Sequence, residues 1–441
     1  MLKASELSFY IISLGCSKNL VDSELINGDM ISAGFISSET AEDSDIIIIN
    51  TCGFIQDAKE ESIETILDSI DLKENRNSDK ELKQHNFKKK IVVAGCLAKR
   101  YFAEIKREIP EIDFLYGIKD EKFVSALCHK FNIEHNSILK VRKKLYNTCP
   151  FSYIKISDGC SNNCSYCAIP IIRGPHVPFH PDQILKDAEY EVANGALELN
   201  IIAQDITMYK WETIDLPLLI NNISKINNLK WIRLLYCHPD HITDKIINLI
   251  AENEKVVPYI DIPFQHVNET LLKSMGRNGS SHKYLKLIEK LRKKIPQISI
   301  RSTFMLGYPG EDEKIFLELL TFIKTAMIDK VGCFIFSPEE GTQAYNLCDN
   351  ISVDEKNRRF NEVMSIQSRI SQEKLNDKIG LELDVLVEEK LDEKTYMGRT
   401  IFDAPEVDGI FFLTANENKI NKIVRAKVTD SIEYDLIGEM I

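Results

Sequence analysis

The feature that most constrains this chain is a group of three cysteines in one short loop. Cys160, Cys164 and Cys167 stand in DGCSNNCSYCAIP, directly after the strand-like segment YIKIS (residues 153–157). Three thiolates held this closely can bind three irons of a four-iron cluster and leave the fourth iron open. A structural zinc site ordinarily uses four protein ligands, and no other cysteine or histidine follows until His176. The spacing favours the iron–sulfur interpretation, with zinc as the alternative.

The region around this loop alternates strand-like and helix-like segments. Helical patterns lie between the strand-like runs, as in residues 282–294. Such alternation predicts a partial or complete β/α barrel, in which the active site lies at the carboxyl ends of the strands. The six strand-like runs are residues 153–157, 198–203, 231–236, 259–263, 299–306 and 331–336.

Three more cysteines each follow a strand-like run near the N-terminus. Cys16 follows FYIISLG, Cys52 follows IIIINT, and Cys96 follows KIVVAG. The carboxyl ends of parallel strands in an open α/β sheet face one crevice. We therefore expect the three cysteines to converge on one point. The alternative is that they are ordinary buried core cysteines.

The N-terminal region is predicted to be an open parallel α/β sheet, because its strand-like runs alternate with helical patterns. One such pattern, after the second run, places Ile63, Ile66, Leu67 and Ile70 on a single helix face. The lysine-rich stretch of residues 72–90 is expected to be a solvated helix or loop.

The C-terminal region is predicted to be a small, all-β, OB-like barrel of five strands. A long amphipathic helical pattern (residues 352–378) precedes a strand-rich stretch with turn signals such as Val407-Asp408-Gly409. From Asp377 onward there are 15 acidic and 8 basic residues, so this region carries −7 of the net charge of −12. The three predicted regions are residues 7–130, 146–375 and 377–441.

The overall composition excludes several classes of protein. There are 11 cysteines, an odd number, in 441 residues without a recognisable export signal, so a disulfide framework is not expected. No apolar run reaches the ~18–20 residues needed to cross a bilayer. We therefore expect a cytoplasmic protein without a membrane partner.

The cysteine loop on a β/α region resembles the radical S-adenosylmethionine (SAM) superfamily. That resemblance implies that SAM binds the open iron and that Tyr166 lies beside it. Nearly the whole chain resembles the methylthiotransferase family, with a radical SAM partial barrel in the centre and a TRAM domain at the C-terminus. The resemblance is carried by SLGCSKNLVDSE (13–24), NTCGFI (50–55), AGCLA (94–98), GCSNNCSYCAIPIIRG (159–174), ELNIIAQD (198–205), YIDIPFQH (259–266) and STFMLGYPGE (302–311).

The resemblance implies two [4Fe–4S] clusters, the second held by Cys16, Cys52 and Cys96. It also implies two SAM molecules per reaction and an electron-donor protein such as flavodoxin. The opening motif and GRTIFDAPEVDG (398–409) resemble the branch that acts on a ribosomal protein. The implied substrate is an aspartate of small-subunit ribosomal protein number twelve, free or in the ribosome, modified at its β-carbon.

Charge supports that branch, because an acidic C-terminal domain repels tRNA phosphates and attracts a basic protein. Two alternatives stay open: the same chemistry on a tRNA adenosine, and a non-catalytic iron–sulfur or zinc scaffold.

Several polar residues are candidate contacts to SAM or to the substrate. Strand-end position points to Gln204 and Asp205, His238, Gln265 and His266, and residues 308–311. Glu198 and Arg301 lie within strands and are expected to point into the barrel. The predicted SAM-binding set is Tyr166, Glu198, Gln204, His266, Arg301 and Gly307. No side chain is assigned a catalytic role, because the cofactors supply the chemistry.

Overall fold

The computed structural model describes residues 2–78, 87–139, 141–145 and 149–441. The chain divides into two compact units. The first unit is Met1–Asn147 together with Ala168–Pro175, and the second is Thr148–Cys167 together with His176–Ile441. Apart from residues 146–147 and Ala168–Pro175, the predicted central and C-terminal regions thus belong to one unit. The boundaries of the three predicted regions stay predictions.

The first part of the chain forms a parallel α/β sheet, as predicted. Its sheet has the strand order β3-β2-β4-β5-β6, and every pair is parallel. In chain order its elements are β1 (Leu2–Lys3), a 3₁₀ turn (Ala4–Glu6), β2 (Ser8–Ser13), α1 (Ser17–Ala33), β3 (Ile36–Ser37), β4 (Ile46–Thr51), α2 (Gln56–Ser78), β5 (Lys90–Gly95), α3 (Cys96–Arg100), α4 (Phe102–Glu108), β6 (Phe114–Leu115), α5 (Phe123–Phe131) and β7 (Ile133–Glu134).

The central strands of this sheet are apolar along their length because both faces are covered. The four isoleucines Ile46–Ile49 of β4 are fully buried, and they divide between two core clusters on opposite faces of the sheet. Continuous apolar runs of this kind are typical of buried parallel strands.

The buried face of α2 is narrower than the spacing of its apolar residues predicts. Ile66 and Ile70 are buried against β4 and β5, whereas Ile63 and Leu67 are 41% and 49% exposed. A helix that lies on a sheet buries only one stripe, and these two residues lie beyond it. Of the lysine-rich stretch, residues 72–78 continue α2 and residues 79–86 lie outside the described residues.

The rest of the chain begins with a β/α region. In chain order its elements are β8 (Phe151–Lys155), β9 (Ser157–Asp158), α6 (Ile169–Arg173, within the first unit), β10 (Val177–Pro178), α7 (Pro181–Ala193), β11 (Glu198–Ile202), a 3₁₀ turn (Ile206–Met208), β12 (Lys210–Trp211), β13 (Ile214–Asp215), α8 (Leu216–Ile223), β14 (Trp231–Leu234), a 3₁₀ turn (Pro239–His241), α9 (Asp244–Glu252), β15 (Val256–Asp261), α10 (Glu269–Ser274), α11 (Ser281–Lys294), β16 (Ser299–Leu306), α12 (Glu313–Ala326), β17 (Lys330–Ile335) and a 3₁₀ turn (Gln343–Asn346).

This region is the predicted partial β/α barrel. Six strands form one parallel sheet in the order β17-β16-β15-β14-β11-β8, so β8 and β17 are edge strands. Alternate residues such as Leu199, Ile201, Ile232 and Leu234 belong to one large core that includes the helices. Their neighbours on the strands, Glu198, Asn200 and Arg233 among them, face the inside of the barrel. The carboxyl ends of six strands therefore lie at one end of the barrel, where ligands bind in such folds.

The C-terminal region is a closed five-stranded barrel in the order β18-β19-β20-β22-β21, as predicted. Its core includes Leu375 of the preceding helix. Its elements are α13 (Val353–Asn376), β18 (Glu382–Lys390), β19 (Thr395–Thr400), β20 (Phe411–Thr414), β21 (Ile423–Ile432) and β22 (Asp435–Met440). Among the described residues, we find no helix with an apolar stretch long enough to span a membrane.

Candidate active site

The three cysteines of the first unit lie at one edge of its sheet. β2, β4 and β5 are parallel neighbours, so their carboxyl ends share that edge. Cys16 follows β2 and is the N-cap of α1, Cys52 follows β4, and Cys96 follows β5 as the first residue of α3. Cys52 and Cys96 are buried, whereas Cys16 is exposed.

Two glycines allow the three cysteine turns to approach one another. A Cβ atom built on Gly15 would lie 2.6 Å from the Cβ of Cys52. A Cβ atom on Gly53 would lie 2.7 Å from the Cα of Leu97, next to Cys96. Gly15 also has a φ of +83°, a conformation that favours glycine. Larger residues at either position would push the turns apart.

A buried hydrogen-bond network fixes the backbone around these turns. The side-chain amide of Asn50 donates to the backbone oxygen of Asn19 at 2.9 Å, and the amide of Asn19 donates to that of Leu14 at 2.7 Å. The backbone N–H of Cys52 donates to the Ser62 hydroxyl at 3.1 Å. Buried networks that are fully paired in this way hold a single arrangement.

Arg173 is a buried cation of this site, and sequence reasoning did not single it out. Its side chain is 2% exposed, and its guanidinium lies 2.9 Å from Asp22 and 3.4 Å from the sulfur of Cys96. Three soft thiolates with an adjacent positive charge are a donor set that suits an iron–sulfur cluster. The residues therefore fit the predicted second cluster, whose presence stays a prediction.

The thiol groups of this site act on one another electrostatically. Burial raises the pKa of Cys52 to about 11, and the charges of Cys16 and Cys96 add to the rise. Burial also raises the pKa of Cys96. Desolvation acts to raise the pKa of Cys16, but the charge of Lys18 and the backbone N–H of Asn19 outweigh it and lower the pKa.

The second cysteine loop follows β8 and β9 and is anchored from the end of α10 and from the residues that follow β16. Cys160, Cys164 and Cys167 are all half-buried. Between them, the backbone N–H of Ser165 donates to the carbonyl of Met275 at 3.0 Å, and its hydroxyl lies 2.9 Å from that of Tyr308. These two bonds fix the middle of the loop to the neighbouring elements.

Gly276 and Arg277 pack against this loop. Gly276 has a φ of +75°, and a Cβ atom there would collide with the backbone oxygen of Asn163. Arg277 interacts with the thiol of Cys164, and its guanidinium donates to the carbonyl of Pro263 at 2.6 Å. Each three-cysteine set therefore has one arginine beside it. Arg277 was also missed, because nothing in the local sequence links it to a loop more than a hundred residues away.

Asp205 ties the cysteine loop to the neighbouring strand ends. Its Oδ2 accepts from the side-chain amide of Asn162 at 2.9 Å and lies 2.9 Å from Nδ1 of His241, while Oδ1 accepts from the backbone of Thr207 at 3.0 Å. Burial would raise the pKa of Asp205, but the hydrogen bonds of its three partners outweigh it and lower the pKa to about 2. Asp205 is thus a permanent anion that positions the loop.

Four of the six predicted SAM contacts lie at the carboxyl ends of the strands. Tyr166 lies within the cysteine loop and is buried. The amide of Gln204 donates to Oδ1 of Asp158 at 3.1 Å, and that oxygen also accepts the N–H of Gly159 at the start of the loop. His266 and Gly307 lie at the ends of β15 and β16, where both face Glu311: the N–H of Gly307 donates to its Oε2 at 2.9 Å, and Nε2 of His266 lies 3.9 Å from the same oxygen.

Three polar atoms at these strand ends are buried without a hydrogen-bond partner among the described residues. They are Oε1 of Gln204, Oε1 of Gln265 and Nε2 of His266. Buried polar groups are nearly always paired, so these atoms indicate a polar ligand at this end of the barrel. SAM, which carries amino, carboxylate, ribose and adenine groups, fits that requirement.

The other two predicted contacts have different partners. Glu198 is the first residue of β11, at the amino end of the strand, and pairs with Arg233 and Arg399 at 2.7 Å each. Arg301 lies 3.3 Å from Asp408 and 3.5 Å from Asp261. Both point into the barrel, as predicted, but both are held by ion pairs there. We therefore leave them out of the set that we propose for SAM.

His266 should make the stability of the protein depend on pH. Burial, with the charge of Arg359, lowers the pKa of His266 to about 3. Below the ordinary value near 6.5, the unfolded chain takes up a proton that the folded protein does not, so stability is lost as the pH falls. Between pH 7 and pH 5 this loss is about 2 kcal/mol. Denaturant unfolding should show a smaller loss over that range for His266→Gln than for the wild type.

The control for this prediction is His135→Gln, because His135 is exposed. It should lose as much stability between pH 7 and pH 5 as the wild type does. An identical pH dependence in the wild type and in His266→Gln would contradict the prediction.

Comparison with known proteins agrees with this architecture along the whole chain. Residues 8–117 match the uncharacterized protein family UPF0004, residues 154–323 the radical SAM superfamily, and residues 379–441 the TRAM domain. Among solved structures, the radical S-adenosylmethionine methyltransferase TsrM from Kitasatospora setae is similar in fold. Its TM-score is 0.53 at 14% identity, covering 74% of this chain and 72% of that one.

Full-length relatives share one name. The ribosomal protein uS12 methylthiotransferase RimO from Natranaerobius thermophilus is 39% identical, with 98% of each chain covered. The protein of the same name from Clostridium kluyveri is 41% identical, again with 98% of each chain covered. With its three matching domains and this full-length similarity, the chain belongs to the RimO family of radical SAM methylthiotransferases.

Proposed function

We propose that this protein transfers a methylthio group to the β-carbon of an aspartate in ribosomal protein uS12. The observation that carries the proposal is the presence of two separate three-cysteine sets, each gathered at the carboxyl ends of parallel strands. They occur in a chain that resembles RimO proteins over its whole length. A single set would suffice for SAM cleavage alone, so the second indicates sulfur chemistry.

We propose one [4Fe–4S] cluster on each set: Cys160, Cys164 and Cys167, and Cys16, Cys52 and Cys96. When bound, the first supplies the electron that cleaves SAM to a hydrogen-abstracting radical, and the second supplies a site for the sulfur that is transferred. A radical route suits this target, because an aspartate β-C–H bond is too weakly acidic for a side-chain base. An electron-donor protein such as flavodoxin would provide the electrons.

The residues of the second unit hold SAM in place and keep it in one orientation. Ser165 fixes the cysteine loop to Met275 and Tyr308. The unpaired atoms of Gln204, Gln265 and His266 are available to hydrogen-bond SAM. Because His266 stays neutral at physiological pH, it can accept or donate a hydrogen bond without adding a positive charge beside the sulfonium.

The charge of the C-terminal barrel supports a protein substrate. Residues 377–441 carry a net charge of −7, which attracts basic proteins and repels polyphosphates. This charge supports uS12 over a tRNA adenosine, in agreement with the sequence motifs and the named relatives.

A competition assay tests the proposal. The protein, reconstituted anaerobically with iron and sulfide, is given SAM, a reductant, small ribosomal subunits and tRNA in one mixture. Mass spectrometry should find a methylthio group in place of one hydrogen on uS12 and an unmodified tRNA pool. Modification of tRNA alone would overturn the assignment, and protein that takes up zinc and cleaves no SAM would indicate a scaffold.

A further inference from the structure

One segment of the C-terminal barrel, Arg399–Asp408, contacts every strand of the central sheet. The segment leaves β19 and runs toward β20. Its side chains and backbone bond to the strands through Tyr153 on β8, Glu198 on β11, Arg233 on β14, Tyr259 on β15, Arg301 on β16 and Lys330 on β17. The segment therefore closes the inside of the six-stranded barrel from one side.

The segment Arg399–Asp408 contacts both edge strands of the central sheet. The hydroxyl of Tyr153, on β8, donates to the carboxylate of Glu406 at 2.7 Å. The ammonium of Lys330, on β17, lies 2.6 Å from Asp403. The segment thus bridges the gap between the edge strands that a full eight-stranded barrel would fill.

Glu406 differs from the other acidic residues of the segment in being exposed. Asp408, by contrast, has a side chain that is 2% exposed and is paired with Arg301, Tyr259 and a backbone N–H. Glu406 also has a φ of +68°, which is costly for a residue with a side chain. Such strain persists where the surrounding structure fixes it, and it is concentrated at functional positions.

The surroundings of Glu406 on the inside of the barrel are acidic. Arg301 pairs with Asp261, the last residue of β15, as well as with Asp408. Tyr236, just past the end of β14, interacts with both Tyr153 and Arg301. Glu406, Asp408 and Asp261 against Arg301 and Arg399, whose charge also acts on Tyr153, give a formal charge of −1 (three negative, two positive). The position thus attracts a positively charged group on the inside of the barrel.

A second observation indicates that a polar group from outside the chain binds on the inner face of the barrel beside Tyr153. Asn200 pairs in register with Tyr153 on one side and with Arg233 on the other. It is fully buried, and neither atom of its side-chain amide has a hydrogen-bond partner among the described residues. Asn200 and Tyr153 lie on the same inner face of the sheet. The unpaired amide of Asn200 therefore faces the same space as Tyr153, which bonds Glu406.

We propose that Glu406 is a specificity-determining residue that binds a basic side chain flanking the target aspartate of the protein substrate. The exposed Val407 beside it offers apolar surface to the stem of that side chain, and Asn200 bonds a polar group of the entering segment. This inference rests on the proposed function. It adds the chemical character of the sequence around the modified residue: at least one lysine or arginine next to the aspartate.

The test is the affinity of the iron-loaded protein for purified uS12, measured by fluorescence anisotropy. Glu406→Lys should weaken binding roughly tenfold, because a new like charge replaces an attraction, and Glu406→Gln should weaken it less. The matched control is Glu393→Lys, an exposed residue in the turn between β18 and β19 of the same barrel. It changes the net charge equally and should alter the affinity less than twofold. Iron content and the thermal unfolding midpoint establish that each variant is folded.

Reciprocal charge reversal identifies the partner. Each basic residue near the modified aspartate of uS12 is changed to glutamate in turn, and one of these changes should restore binding to Glu406→Lys. The inference is overturned if Glu406→Lys and Glu393→Lys weaken binding equally, or if no reversal restores it. Wild-type protein that neither binds nor modifies uS12 would instead overturn the proposed function, so the two failures are distinguishable.

Discussion

Alanine at Cys16, Cys52 and Cys96 together is expected to abolish methylthio transfer while SAM cleavage continues. The second cysteine set has its own anchors, Ser165 to Met275 and Tyr308, which this variant does not touch. Iron should fall from roughly eight to about four atoms per chain, because one four-iron cluster is lost. Iron analysis, detection of 5′-deoxyadenosine and mass spectrometry of uS12 measure the three quantities.

The control for this variant is Cys128→Ala. Cys128 is a buried cysteine of the same unit that belongs to the core of its sheet rather than to the strand-end set. It should keep all of the iron and both activities. Loss of SAM cleavage in the triple variant would contradict the account, since it would mean that the two cysteine sets do not act separately.

Arg399→Met is expected to lower the free energy of unfolding of the second unit by about 3–5 kcal/mol. The Arg399 side chain is 2% exposed and lies 2.7 Å from the fully buried Glu198. It also bonds Glu388 of its own barrel. Without the arginine, the buried carboxylate of Glu198 keeps only one of its two positive partners. Leaving a buried charge unpaired costs much more stability than an ion pair adds relative to an apolar pair of the same size. Denaturant unfolding followed by circular dichroism measures the change.

Arg425→Met is the matched control, because Arg425 pairs with Glu382 and Asp384 on the surface, where all three side chains are about half exposed. Surface pairs contribute about 0–1 kcal/mol, so this variant should be close to the wild type. A loss below about 1 kcal/mol for Arg399→Met would show that the two barrels are not held together by this network.

Much of the fold follows from patterns that are local in the sequence. The isoleucine run of β4 predicts a strand covered on both faces, and each cysteine set could be placed because it follows a strand directly. The helix face of α2 was predicted less well: Ile63 and Leu67 have the right spacing but lie beyond the stripe that meets the sheet. Periodicity gives the direction of an apolar face, whereas its width depends on the neighbour it packs against.

The charged partners of the site could not be predicted, since they meet only in the folded chain. Arg173 comes from a segment six residues beyond Cys167 and pairs with Asp22 near the N-terminus. Glu198 was predicted to contact SAM because it lies in a barrel strand, yet its two arginine partners come from β14 and from the C-terminal barrel. Its place as the first residue of β11 is the signal that could have located it at the amino end, away from the ligand-binding edge.

The most direct test of the central claim follows a deuterium atom. Ribosomal protein uS12 labelled with deuterium at the aspartate β-carbon is incubated anaerobically with the iron-loaded protein, SAM and reductant. The account predicts that deuterium appears in 5′-deoxyadenosine and that tandem mass spectrometry finds the methylthio group at the β-carbon of one aspartate. A 5′-deoxyadenosine product without deuterium, with uS12 unmodified, would contradict it.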